Sequence, residues 1–191
     1  MDKTCQWPKA DPLMLKYHDT EWGRPVRNDR KIFEFLTLES AQAGLSWLIV
    51  LRKREGYRHA FARFDPLQVA KFGRRYVAKL LKNPSIIRNR LKIEATINNA
   101  KRFLEIQKEF GTFSKYMWSF VKNRPINGKR QSLDDIPEYT KQAEALSKDL
   151  KKRGFKFLGP TVIYAHMQAV GMVNDHMITC FRYKELKMIK F

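Results

Sequence analysis

Four residues carry the metal-binding side chains of most interest, and they fall in two groups at opposite ends of the chain. Cys5 and His18 lie near the start, while His176 and Cys180 lie near the end, four apart, so that one helical turn would aim both side chains the same way. Two thiolates and two imidazoles suit a tetrahedral Zn²⁺ ion. The spacing matches no common zinc finger, because most of the chain separates the two halves. Two buried free cysteines and two ordinary histidines account for the same residues equally well. If all four bind one ion the site is closed to water, and the metal ties the termini together without taking part in catalysis. These are the only two cysteines, and in a reducing cytosol metal ligation is favoured over a disulfide. His59 and His166 fall in helical patterns and receive no chemical role.

A second group is aromatic and acidic. Trp7, Tyr17, Trp22 and Trp47 crowd the first fifty residues, and any one of them alone reads as core. Glu39 changes the weighing. It interrupts the apolar and small run Leu36-Thr-Leu-Glu39-Ser-Ala-Gln-Ala-Gly44, where a carboxylate is either exposed at a helix end or buried for a purpose. One such purpose is to hold a cationic heterocycle, since aromatic faces attract cations and a dry carboxylate accepts hydrogen bonds from ring N–H and exocyclic amine groups.

The elements that must position these residues read as all-α. Helical periodicity dominates and sustained period-two alternation is absent. Asn28 and Asp29 cap a helix carrying Ile32, Phe33 and Leu36, and Ser46 caps one carrying Trp47, Val50 and Leu51. Asp65-Pro66 and Asn83-Pro84 repeat one device, a polar cap before a proline at the first helical position. The second is expected to open the longest helix, with Ile87, Leu91, Ile97, Ala100 and Leu104 as its core stripe and Gly111 as its stop. Turn formers cluster between Lys122 and Pro137, the expected connection between lobes. A helix marked by Ala143, Leu146 and Leu150 should end at Gly154. A short turn, Phe155 to Thr161, then leads into a helix from Val162 to Val170, although Phe155 to Tyr164 also suits a strand.

Composition sets the outer bounds. The 191 residues, 43% of them hydrophobic, can fill the core of one compact domain or two small lobes, which argues against disorder. With 38 Lys and Arg against 19 Asp and Glu, the formal charge of +19 favours a polyanionic partner. No apolar stretch approaches the roughly 20 residues of a membrane span, and no apolar run follows the N-terminus, so the chain is expected to be cytoplasmic.

Several long motifs, in order, then point to one family. They are Cys5-Gln-Trp7 with Asp11-Pro-Leu-Met-Leu-Lys-Tyr17-His18-Asp19-Thr-Glu21-Trp22-Gly23; Leu38-Glu39-Ser-Ala-Gln42-Ala-Gly44-Leu45-Ser46-Trp47; Ile86-Ile87-Arg88-Asn-Arg90 with Lys92-Ile93; Leu146 through Phe157; and Met167-Gln168-Ala-Val-Gly171 with Val173-Asn174-Asp175-His176. From about Cys5 to Tyr183 the chain closely resembles the DNA-3-methyladenine glycosylase I family.

The resemblance implies a helix-hairpin-helix glycosylase-like fold in a single glycosylase domain, 1–191. Its helical core would span about 28–170, with the termini, about 1–27 and 171–183, stapled by zinc. Cys5, His18, His176 and Cys180 match the family's zinc ligands. Glu39 and Tyr17 would recognise a flipped 3-methyladenine, and Trp47, with Trp7 and Trp22, would wall it. Gly44 and Leu45 match the loop that wedges into the vacated base stack. Gly159 and Thr161 belong to the hairpin whose backbone N–H groups would hold a DNA phosphate, although Phe157 stands where the wider superfamily often has Gly. Arg88, Arg90, Lys151, Lys152, Arg153 and Lys156 are candidates for phosphate contact. Met14 stands where the family often has Tyr. In the string Val173-Asn174-Asp175-His176, Asn174 replaces the superfamily's catalytic Asp. The implied activity is monofunctional excision of 3-methyladenine from alkylated double-stranded DNA in base excision repair, by a monomer with no protein partner.

Overall fold

The chain begins its first helix where Asp11 takes up the N–H groups of Leu13 and Met14, and that device recurs along the molecule. A computed structural model describes residues 4–189. Among the described residues there are ten α-helices. They are α1 (Pro12–Thr20), α2 (Asp29–Gln42), α3 (Trp47–Ala60), α4 (Pro66–Val69), α5 (Arg74–Leu81), α6 (Arg90–Phe110), α7 (Phe113–Ser119), α8 (Lys141–Lys152), α9 (Pro160–Ala169) and α10 (Phe181–Lys187). Asn28, Ser46, Asp65, Thr112 and Thr140 cap α2, α3, α4, α7 and α8 through their side chains. The expected all-α, helix-hairpin-helix architecture is the one observed.

Helix α2 is the hub. It packs against α3, α6, α7 and α9, so every residue from Ile32 to Ala41 is buried, Glu34 and Glu39 included. Burying an apolar side chain such as Phe33 or Leu38 fully contributes about 1.5–3 kcal/mol. Glu34 is neutralised from one side by Arg54 (2.7 Å) and Arg58 (3.2 Å). The Arg54 guanidinium also grips Glu21 with two 2.7 Å bonds, which ties the end of α1 to α2 and α3.

The longest helix departs from expectation. Asn83 spends its side chain on the N–H of Ser85, closing a turn, and the Pro84 carbonyl accepts from Lys53. The cap of α6 is Asn89, whose side chain takes the Lys92 N–H, so the helix opens at Arg90. The shift changes the buried face. Leu91 is 62% exposed, and the core stripe runs through Ile93, Ile97, Ala100, Phe103 and Ile106. Gly111, at φ +85°, ends the helix as expected.

The turn-rich connection is not a free linker. Its residues Ile126–Asn127 (β1) pair in parallel with Val173–Asn174 (β2), and Arg130 bridges to Met177, so the segment folds back on the stretch that follows α9. The segment from Phe155 to Tyr164 forms a turn and the start of α9, not a strand. Among the described residues no helix is long and apolar enough to cross a membrane.

Candidate active site and metal-ligand cluster

The two ends of the chain meet. Cys5, His18, His176 and Cys180 are all buried, and one ligand atom from each lies within 4.8 Å of the others. Cys180 Sγ is 3.7 Å from His18 Nε2 and 3.6 Å from His176 Nδ1, and Cys5 Sγ is 3.7 Å from His176 Nδ1. The outer ring nitrogens fix the tautomers. His18 Nδ1 faces Asp19 at 2.7 Å, and His176 donates Nε2–H to the Trp22 carbonyl at 3.1 Å, which leaves His18 Nε2 and His176 Nδ1 free to turn lone pairs inward. Two sulfurs and two such nitrogens form a donor set that can hold a metal ion with no opening for water. Cys5 and Cys180 pack with Met177 in a small apolar cluster, joined by Trp7, Ile136 and Phe181 at its edge.

Beside this cluster lies a pocket of about 230 Å³. Trp7, Met14, Tyr17, Trp22, Glu39 and Trp47 line it, so every candidate base-contacting residue from the sequence converges there, with Met14 among them. Trp7 meets Trp22 edge-on at 5.0 Å, and Tyr17 lies 5.3 Å from Trp47. The indole N–H groups of Trp7 and Trp47 are buried without hydrogen-bond partners among the described residues.

Glu39 is 5% exposed. Its helix neighbour Glu34 is surrounded by cations, but no described residue pairs with Glu39, and burial alone pushes its carboxyl up to about 8. Burial also holds the Tyr17 hydroxyl well above its ordinary value, and the nearby Glu39 adds to the effect. An aromatic box containing an uncompensated carboxyl gains from a ligand that brings either positive charge or N–H donors.

The loop after α2 is exposed. Gly44 sits at φ +79° with open space where a Cβ would point, and Leu45 is 39% exposed, so Leu45 is not a core residue. Lys92 of α6 anchors this loop: its buried ammonium donates to the carbonyls of Ala41 (2.8 Å) and Ala43 (2.6 Å) at the C-terminal end of α2. A cation there meets the negative pole of the helix.

The turn between α8 and α9 is pinned from behind. Asn99 accepts from the Lys156 N–H (2.8 Å) and donates to its carbonyl (2.9 Å), Asn98 donates to Gly154, and Ser147 donates to Leu158. Phe157 is held at φ +58° and is 39% exposed, so the left-handed geometry is reached here without glycine. Gly159 begins α9 with no side-chain cap. Lys148, Lys151 and Lys156 line a groove alongside Phe157, Gly159 and Pro160. Two candidates are already engaged. The Thr161 hydroxyl donates to Glu138 at 3.1 Å, and Arg153 is held by Glu109 and Asp149, each at 2.7 Å.

Sequence reasoning left out part of the pocket. Gln42, Leu133, Ile136, Ala165 and Gln168 complete its lining. Lys92, Gln42 and Gln168 lie in motifs shared with the family, which was the available signal. Leu133 and Ile136 come from the turn-rich connection and carried none.

Comparisons with known proteins agree with this geometry. The family model described as methyladenine glycosylase matches residues 7–183. The chain is 47% identical over 179 residues to the DNA-3-methyladenine glycosylase 1 of Escherichia coli (strain K12), covering 94% of this chain and 96% of that one. A crystal structure of a 3-methyladenine DNA glycosylase I aligns at TM-score 0.91 and 49% identity, over 94% of this chain and 98% of that one. The corresponding Staphylococcus aureus enzyme, whose structure describes 3-methyladenine recognition, aligns at TM-score 0.91 and 38% identity, over 94% and 96% of the two chains. The pocket, the ligand cluster and these likenesses together establish that the chain belongs to the methyladenine glycosylase family.

Proposed function

We propose that this chain is a monofunctional DNA repair glycosylase, which rotates 3-methyladenine out of alkylated double-stranded DNA and hydrolyses its N-glycosidic bond to leave an abasic site. The observation that carries the reading is Glu39, a buried carboxyl without a counter-charge among the described residues, inside an aromatic pocket. N3-methylation makes the nucleotide's adenine cationic. Its glycosidic bond is already weak and the base departs neutral, so no general acid is required. Glu39 and Tyr17 recognise the base by hydrogen bonding, and Trp47, with Trp7 and Trp22, supplies the walls. Asn174 donates its amide to the Tyr183 carbonyl and accepts from the His176 N–H, so it takes no part at the pocket.

Flipping a base costs a few kcal/mol, and Leu45 filling the gap would offset part of it. Gly44 lets that loop approach the duplex. Gly159, Thr161 and the lysines beside the hairpin are the proposed phosphate contacts, with Thr161 exchanging Glu138 for DNA. We read the metal as a structural Zn²⁺, one per chain, held by Cys5, His18, His176 and Cys180. The protein is read as a cytoplasmic monomer, one glycosylase domain whose two termini are joined by that ion.

Incubating the metal-loaded protein with methylated duplex and identifying the released bases by chromatography tests the activity; 3-methyladenine is the expected product. Borohydride trapping tests the mechanism. A covalent protein–DNA adduct would replace the hydrolytic scheme with a Schiff-base lyase, and release of no purine would remove the enzymatic reading.

A further inference from the structure

Gln168 stands near the C-terminal end of α9 and lines the pocket with Glu39. Behind it lies Asp175, whose side chain is fully buried. Arg130 pairs with Asp175 Oδ1 at 2.8 Å, while Oδ2 accepts from the Tyr164 hydroxyl and from Gln168 Nε2, the latter at 2.8 Å. Arg130 also donates to the Tyr164 oxygen at 3.1 Å. The Tyr164 proton is thus committed to Asp175.

We infer that Gln168 is a specificity-determining residue, which presents its amide oxygen to the exocyclic amine of an adenine-type base, and that Asp175 is the positioning residue that fixes this orientation. Donor count decides which way the amide faces. A carboxylate paired with arginine accepts hydrogen bonds and offers none, so the Gln168 amide must turn its NH₂ towards Asp175. The oxygen is the polar atom left over, and it has no partner among the described residues. A 6-amino group donates to that oxygen. A 6-oxo group, as on guanine, brings an acceptor against an acceptor, and two buried lone pairs go unsatisfied. Glu39 alone does not make this distinction, because a carboxyl that holds its proton near neutral pH can donate as well as accept. The locked amide cannot reverse its role.

The inference rests on the proposed function, and the two are tested separately. Excision from methylated duplex reports on the activity, whereas binding of the free bases reports on Gln168. Calorimetry would compare 3-methyladenine with 3-methylguanine on wild type, Gln168→Met and Asp175→Asn, all metal-loaded. Gln168→Met should lower affinity for 3-methyladenine about tenfold, the size of one hydrogen bond removed, and leave 3-methylguanine unchanged or bound more tightly, as the opposed acceptor is gone. Asp175→Asn, which frees the amide to turn, should shift the ratio the same way by a smaller factor. Adding Gln168→Met to Asp175→Asn should bring the ratio to that of Gln168→Met alone. A folded Gln168→Met protein that loses both bases equally, or neither, would overturn the inference even if excision is normal. Should Asp175→Asn fail to fold, Gln168→Met decides alone. Wild type that binds the bases with the expected preference but releases none from DNA would keep the inference and sink the activity.

Discussion

His176 donates its Nε2–H to the main-chain carbonyl of Trp22 at 3.1 Å, so the metal-ligand cluster and the wall of the aromatic pocket share a hydrogen bond. Ring contacts extend the link. Trp22 lies 4.5 Å from the His176 ring, and Trp7 lies 5.5 Å from the ring of His18. The next residue, Gly23, is at φ +79°, and a Cβ there would lie 2.8 Å from His176 Nε2, so the approach leaves no room for a side chain. Whatever holds the four ligands in place therefore also holds two walls of the pocket.

Removing the ion should be felt at the pocket as well as in stability. Cys180→Ser is expected to abolish stoichiometric metal binding and lower unfolding free energy by more than about 4 kcal/mol, the range of substitutions that lose a metal. Tryptophan fluorescence should change too, because Trp7 and Trp22 pack against the rings of His18 and His176. Metal analysis, thermal melting and fluorescence read the three effects. A variant that keeps its metal and melts with wild type would show that the cluster is ordinary packing.

Glu39 sets the pH behaviour. In the ligand-free fold its carboxyl stays protonated up to about 8, whereas in the unfolded chain it ionises near the ordinary 4.5. Between those values the folded state holds the extra proton. Its contribution to stability is therefore full below about 4.5 and declines as pH rises to 8, by up to about 5 kcal/mol. Glu39→Gln should flatten that part of the stability profile, as denaturant titration across pH would show. If the ionised carboxylate is the form that grips the base, kcat/KM should climb with pH through about 8 in wild type. In Glu39→Gln it should be about 10–100-fold lower and should not climb. A pH-independent stability difference between the two proteins would mean that Glu39 is not buried as described.

How much of this was legible depended on the range of the interaction that fixed each feature. Helix starts at Asn28, Ser46 and Asp65 are local events, in which a side chain meets an N–H two or three residues on, and the sequence displays them. Asn83 shows the same pattern but uses its side chain for a turn, and the true cap stands six residues later at Asn89. The aromatic half of the pocket was readable because Trp7, Tyr17, Trp22, Glu39 and Trp47 are close in sequence and unusual in type. Gln42 and Gln168 lie in the family motifs, but the remainder of the lining carries no such signal. Leu133 and Ile136 arrive only because the connection folds back against β2, and Lys92 is buried only because the end of α2 happens to face it. A lysine on a helix otherwise reads as solvated.

Lys92 and Leu45 should separate loop placement from base recognition. Lys92→Met removes two charge-assisted hydrogen bonds at the end of α2 and is expected to cost about 2–3 kcal/mol. Leu45→Ala should change stability by less than about 0.5 kcal/mol, as the side chain is already exposed. Both should slow excision from duplex DNA, Leu45→Ala by roughly tenfold or more, as the proposed plug would offset an unstacking cost of a few kcal/mol. Neither should alter binding of free 3-methyladenine. Loss of free-base affinity in Leu45→Ala would place Leu45 in the pocket and not in the stack, and unchanged duplex excision would remove the wedge.

The hairpin offers a test in which stability and affinity part company. Phe157 adopts φ +58° with its ring 39% exposed, a left-handed conformation that costs a non-glycine residue about 1–2 kcal/mol. The hydrogen bonds from Asn99, Asn98 and Ser147 to its neighbours hold it there. Phe157→Gly should relieve the strain, but the entropy glycine adds to the unfolded chain and the loss of the ring's covered surface offset the gain, so stability should change by less than about 1 kcal/mol. Charge at this turn acts on another observable. Lys156→Ala and Lys151→Ala should each leave melting nearly unchanged but reduce the slope of log affinity against log salt by about one, as expected when the protein neutralises one phosphate fewer. Salt titrations with undamaged duplex would measure it. Unaltered slopes in both lysine variants would move the duplex off this groove, and the strain at Phe157 would then have no DNA beside it.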